Sequence, residues 1–265
     1  MTLCIAWRDQ ESVHFLSDSR LTTAANSYAD VAIKVLPLPV RLFAPTEEDG
    51  SKPLAHEFEL AMCFAGSAVN SLFLKETIGE LLKSLQFAPD HSDVSMNGIA
   101  DFVFNGYRQL SKEICSTSIA GNGVAQILIA GHCPANNRLR VFSLETDTDN
   151  QHSCVEVLKA VDEYKLIGSG ASKARQLLPV APGKDDFIDV LLKVIEDMSV
   201  PGVGGPVQYG TFEAKRFRCA GVAEFEDGSD PKYLWGGLNL NSASFINAPG
   251  GFVPGITFVG PIFRK

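Results

Sequence analysis

The chain has 265 residues, enough for one large core or two small ones, and its 45% apolar and 20% charged content excludes a mainly disordered protein. Lysine and arginine number 23 against 31 acidic residues, a formal charge of −8 with no basic cluster, which disfavours nucleic acid and anionic membranes as partners. The opening residues carry no basic lead-in and their apolar stretch breaks at Arg8 and Asp9, so they do not read as a signal peptide; no apolar run reaches the roughly 20 residues that span a bilayer.

Taken in chain order, Thr2 to Arg8 reads as a strand, Asp9 to Glu11 as a turn, and Ser12 to Ser17 as a second strand ending in Asp18-Ser19-Arg20. Ala32 to Leu36 reads as a third strand closed by Pro37 and Pro39. The charged segment Thr46 to Pro53 is expected to be an exposed loop, and Phe58 to Ala65 a buried strand. Helical spacing follows. Leu74, Ile78, Leu81, Leu82 and Leu85 form one stripe, and Ile99, Phe102, Val103, Leu110 and Ile114 form another. Strands are expected at Ala125–Ala130, Leu139–Leu144, Val155–Val161 and Tyr164–Ile167. A third helix should start near Ser169–Ala171, and a fourth should run from about Asp185 to Met198. Strands resume at Val207–Phe212, Arg218–Phe225 and Tyr233–Leu240. This order predicts an α+β fold of two antiparallel sheets packed face to face, each covered outside by a helix pair. The Gly/Pro-rich stretch from about 241 to 265 holds Phe245, Ile246, Phe252, Val253, Ile256, Phe258 and Ile262, is too apolar for a free tail, and is expected to lie on the body of the fold or on a neighbouring subunit.

The histidines are scattered, without a ligand pair at helical spacing, and the six cysteines lack CxxC pairing. No metal, no cofactor and reduced thiols are therefore expected, in a cytoplasmic protein. Neither a GxSxG elbow nor a nucleotide-binding glycine motif is present. Cys4 shares a sheet face with Thr2 and reads as a packing residue.

A threonine hydroxyl at a chain terminus is a weak nucleophile, but the α-amine of the same residue can take its proton. A nearby lysine cation lowers the amine's pKa below its ordinary ~7.7–8.0, and a carboxylate must hold that lysine in place. The forming oxyanion needs a main-chain N–H, best offered by a glycine. Each candidate alone has a plainer reading: Thr2 as a tolerated second residue, Asp18-Ser19-Arg20 as a strand-end turn, Lys34 as a solvated edge-strand lysine.

In combination they match a family. The order Thr2, then Ser17-Asp18-Ser19-Arg20, then Lys34, with Phe64-Ala65-Gly66-Ser67-Ala68 and Leu166-Ile167-Gly168-Ser169-Gly170 each before a helix, resembles proteasome β subunits and their bacterial relatives HslV and Anbu. The resemblance covers roughly Thr2 to Phe225. It implies a single Ntn-hydrolase domain over residues 1–265 with four layers, αββα, and a C-terminal extension at about 241–265. It implies Thr2 as nucleophile and, through its amine, base, exposed by removal of Met1. Lys34 would tune both, Asp18 would pair with Lys34, Gly66 would donate to the oxyanion, and Ser169 would belong to the network around the amine. Arg20 would give structural support. Leu21, Ala32, Phe64, Ala68 and Leu72 would line an apolar substrate pocket.

The family's second Asp, separated by two residues from a Ser-Gly pair, is missing from Ser199 to Gly205, as is that Ser. The activity implied is that of a threonine-type endopeptidase acting on peptides or unfolded polypeptides within a homo-oligomeric ring or lock-washer; no pattern assigns an ATPase partner. The alternatives are a catalytically silent assembly protein of the same fold and a small-molecule Ntn amidase.

Overall fold

The computed structural model describes residues 2–24, 27–88, 90–117, 123–147, 151–226, 229–242 and 255–264. In chain order it has strands β1 (Cys4–Arg8), β2 (Val13–Ser17), β3 (Leu21–Ala24), β4 (Ser27–Ala29), β5 (Val35–Phe43) and β6 (Leu54–Gly66). Helix α1 (Ala68–Leu82), strand β7 (Leu85–Gln86) and helix α2 (Met96–Thr117) come next. They are followed by β8 (Ala125–His132), β9 (Leu139–Thr146), β10 (His152–Val157) and β11 (Tyr164–Ile167). After α3 (Ala171–Leu177) and α4 (Lys184–Glu196) the chain ends in β12 (Gln208–Glu213), β13 (Arg216–Glu226), β14 (Lys232–Trp235), β15 (Leu238–Asn239) and β16 (Phe258–Arg264). The fold is mixed α+β. Among the described residues no helix is long and apolar enough to cross a membrane.

One sheet of eight strands has the order β11-β1-β2-β12-β13-β14-β15, with β16 alongside β13; a second of six has the order β10-β9-β8-β6-β5-β7; β3 and β4 form a small hairpin. Alternation along β1 explains how a strand can be buried on both faces. Cys4 and Ala6 join a cluster drawn from both large sheets, including Phe15, Ala61, Cys63 and Leu128. Leu3, Ile5 and Trp7 join a second cluster with Phe187, Leu191 and Val194 of α4. A third lies between the six-stranded sheet and α1 and α2, centred on Leu60, Met62, Leu74, Ile78 and Val103.

Several expectations shift. β5 begins only at Val35 and runs through Pro37 and Pro39 to Phe43, so the prolines do not close it. Its outer edge meets only the short β7, at Leu42 and Phe43, and an edge strand tolerates residues that cannot donate. Ala32 to Lys34, expected in this strand, lie before it. Tyr233–Leu240 is two strands, because Gly236 and Gly237 turn the chain at φ +54° and +86°. β10 stops at Val157, and Val161, Leu81 and Met198 are exposed rather than core residues, while Leu85 belongs to β7 and not to the first helix. Not every contact is antiparallel: β16 pairs β13 in parallel, which seats residues 258–264 on the body of the fold. Residues 243–254 and 265 of the expected extension lie outside the described residues.

Candidate active site

The β1–β2 hairpin sets the geometry. Its register pairs Cys4 with Ser17, which brings Leu3 beside Asp18 at the open end of the hairpin. The Leu3 N–H donates to Asp18 Oδ1 at 3.1 Å. Arg20 and Gly204 N–H groups donate to Asp18 Oδ2 at 3.1 and 3.0 Å. The Lys34 ammonium completes the set, 2.9 Å from Asp18 Oδ1, and donates at 2.8 Å to Thr2 Oγ1. Asp18 and Lys34 are 0% exposed and Thr2 is 2% exposed, so the ion pair is buried. Burying an ion pair is costly unless its remaining groups are hydrogen-bonded, and here three main-chain donors do that for the carboxylate. Lys34 is therefore not a solvated edge lysine. The structure gathers Thr2, Asp18 and Lys34 at one point.

A second turn wraps the main chain of Thr2. The Thr2 N–H donates to Ser169 Oγ at 3.2 Å, and the Gly170 N–H donates to the Thr2 carbonyl at 3.2 Å. Gly168 has φ +96°, and a Cβ there would sit 2.2 Å from the Thr2 carbonyl oxygen, so only glycine allows this approach. The Gln126 side chain accepts from the Gly168 N–H at 2.9 Å. Gly66, at φ +90°, is exposed at the end of β6, with Ser67 capping α1 through the Asn70 N–H at 3.2 Å.

Arg20 holds a bidentate pair with Asp30, at 2.7 and 2.9 Å, and donates to the Pro201 carbonyl at 3.2 Å. Hydrogen bonding to Asp30 raises its pKa further. It thereby ties the 199–205 loop to the end of β2. The same loop supplies the Gly204 N–H to Asp18.

Cys4 donates to the Phe64 carbonyl at 2.9 Å, as a packing residue would. Burial pushes the neighbouring Cys63 thiol well above its usual pKa, so it stays protonated. Among the described residues no cluster of His, Cys, Asp and Glu is built to hold a metal.

The expected pocket residues are more dispersed. Ala32 is buried, its N–H on the Ser19 carbonyl at 2.9 Å, and Phe64 packs at 1% exposure in the core under α1. Leu21 and Ala68 are half-buried, at the starts of β3 and α1. Leu72 alone of the five lines a groove of about 560 Å³ between α1, the start of β5 and Trp235.

Sequence reasoning missed Gln208, Gln126, Gly204 and Asp30. Nothing in the sequence singled out Asp30 as the partner of Arg20. Gln208 is 5% exposed on β12; its Oε1 accepts from the Lys34 and Val35 N–H groups at 2.9 and 3.3 Å, and its Nε2 donates to the Ala32 carbonyl.

No protein-family model matches the sequence, and neither does any curated protein. Solved structures do. Anbu (ancestral beta-subunit) from Yersinia bercovieri is similar at a TM-score of 0.55 and 17% identity, over 82% of this chain and 86% of that one. A Gly-1 mutant of Anbu from Hyphomicrobium sp. strain MC1 is similar at 0.57 and 15%, over 93% and 91%. The Anbu complex from Pseudomonas aeruginosa, solved as a helical assembly, is similar at 0.53 and 14%, over 92% and 90%. At these identities the likeness carries the fold alone, and on that ground this chain shares the proteasome-like fold of the Anbu structures.

Proposed function

We propose that this chain is an N-terminal-nucleophile hydrolase that cleaves peptide bonds in peptides or unfolded polypeptides, with Thr2 as nucleophile once Met1 is removed. Met1 lies outside the described residues. The observation that carries the reading is the buried triangle of Thr2 Oγ1, Lys34 Nζ and Asp18 Oδ1, with sides of 2.8 and 2.9 Å at the ammonium. Its parts match the needs of a hydroxyl nucleophile.

In this reading Thr2 Oγ1 attacks the substrate carbonyl carbon and its proton passes to the freed α-amine. The Lys34 ammonium stabilises the developing negative charge on Oγ1 and keeps the amine neutral at working pH. The Gly66 N–H receives the oxyanion. Collapse breaks the C–N bond, the leaving amine takes the proton held by the α-amine, and an ester on Thr2 remains. Water, losing a proton to the same amine, hydrolyses that ester and restores the hydroxyl. Ser169 orients the amine, Asp18 anchors Lys34, and Arg20 supports Asp18 through the 199–205 loop. Leu21, Ala32, Phe64, Ala68 and Leu72 favour an apolar side chain before the scissile bond.

The three cores support one domain over residues 1–265 layered α, β, β, α, with residues from about 241 as an extension. We further propose a cytoplasmic homo-oligomer, a ring or lock-washer, by analogy with the helical assembly of the Pseudomonas Anbu complex. Turnover of fluorogenic peptides with an apolar residue before the bond tests the activity. It should vanish in Thr2→Ala; undiminished turnover in that variant would refute the role of Thr2.

A further inference from the structure

We propose that Gln208 is a positioning residue for Lys34: its carboxamide, reaching from β12 into the start of β5, fixes the main chain from which the lysine projects toward Thr2 and Asp18. The inference rests on the hydrolase reading for its catalytic consequence, but not for its geometry.

Three observations support it. Ala32 to Lys34 precede β5 and are buried at Ala32 and Lys34; the Ala32 N–H finds the Ser19 carbonyl at 2.9 Å, whereas the Lys34 N–H turns to a side chain. Buried main-chain groups need partners, and Gln208 supplies three at once. Its Oε1 takes the N–H of Lys34 at 2.9 Å and of Val35 at 3.3 Å, while its Nε2 donates to the Ala32 carbonyl. On the other side the Lys34 carbonyl accepts from the Phe64 N–H at 3.3 Å. The lysine main chain is thus held by the eight-stranded sheet through its nitrogen and by the six-stranded sheet through its oxygen. The carboxamide offers an acceptor and a donor together without a change of protonation. Glutamate would set an oxygen against the Ala32 carbonyl, and methionine would leave all three groups unpaired.

The hydrogen bonds of Gln208 go to main chain, not to Thr2 or Asp18, so its effect on chemistry runs through Lys34. An ångström-scale misplacement of a catalytic group can cost about 100-fold. Moving a cation away from an amine raises the amine's pKa.

The test compares Gln208→Met with the parent and with Val103→Ala, a variant on the core face of α2 that is destabilised outside the site. A crystal structure of Gln208→Met should show the Lys34 ammonium withdrawn from Thr2 Oγ1. In peptide cleavage its kcat should fall by about 10–100-fold, with KM little changed. The acid limb of its pH–rate profile should move up by about one unit. Val103→Ala should lower Tm and leave that limb in place. An unmoved Lys34, or a Gln208→Met variant that loses Tm but keeps kcat and the acid limb, overturns the positioning role. A displaced Lys34 in a protein whose parent cleaves nothing would uphold the positioning and sink the hydrolase reading instead.

Discussion

Replacing Lys34 by methionine removes the ammonium while keeping most of its stem, and leaves the Asp18 carboxylate buried at 0% exposure without its counter-charge. Removing one partner of a buried ion pair costs about 3–5 kcal/mol. Asp18 keeps its main-chain donors from Leu3, Arg20 and Gly204, which favours the lower end, about 3 kcal/mol. With about 2–4 °C lost per kcal/mol in a chain near this size, Tm should drop by about 6–12 °C. Asp18→Asn strands the ammonium instead and should cost a similar amount. The double variant removes both charges, so its loss should fall short of the summed single losses by about 2 kcal/mol. Urea denaturation followed by tryptophan fluorescence reads all four corners of the cycle, since Trp7 is buried against His14 and Phe187. A Lys34→Met variant within about 0.5 kcal/mol of the parent, or strictly additive losses, would refute the coupling of these two groups.

Gly168→Ala should be costly, because φ is +96° and the new methyl would meet the Thr2 carbonyl at 2.2 Å. A loss of about 2 kcal/mol or more in urea is expected, together with a fall in any Thr2-dependent activity. Stability should also depend on His14, which lies 2.6 Å from both Asp9 Oδ2 and Tyr209 Oη and stacks on Trp7. Burial lowers its pKa below the usual 6.5, outweighing the opposing effect of Asp9. The unfolded chain therefore binds this proton more readily, so the stabilisation is complete above pH 6.5 and is lost as pH falls through the folded value. Unfolding free energy should decline below that pH with a slope of at most about 1.4 kcal/mol per unit from this group, and His14→Gln should remove that component of the slope.

Much of the element order was legible because it depends on local periodicity and turn residues. The stripe Leu74, Ile78 and Leu82 is buried, and Ile99 and Val103 face the same core. The grouping of Thr2, Asp18 and Lys34 was expected from the resemblance; the hairpin accounts for Asp18 lying beside the start of β1, whereas Lys34 lies beyond the hairpin and no local pattern placed it. What escaped depends on distant partners. Gln208 finds Lys34 from 174 positions away, and Gly204 reaches Asp18 across 186, separations that leave no local trace. The prolines of β5 misled because their tolerance depends on lying at a sheet edge, a property of topology rather than of neighbours in sequence. The pocket residues Leu21, Ala32, Phe64, Ala68 and Leu72 came by resemblance, and the structure spreads them between core, half-buried positions and an exposed helix face.

Intact-mass spectrometry of the native protein, before and after exposure to a β-lactone that acylates nucleophilic hydroxyls, bears most directly on Thr2. The account predicts a chain lacking Met1, one adduct mapped to Thr2, and no adduct in Lys34→Met. Retention of Met1, or labelling that persists in Thr2→Ala, would contradict it.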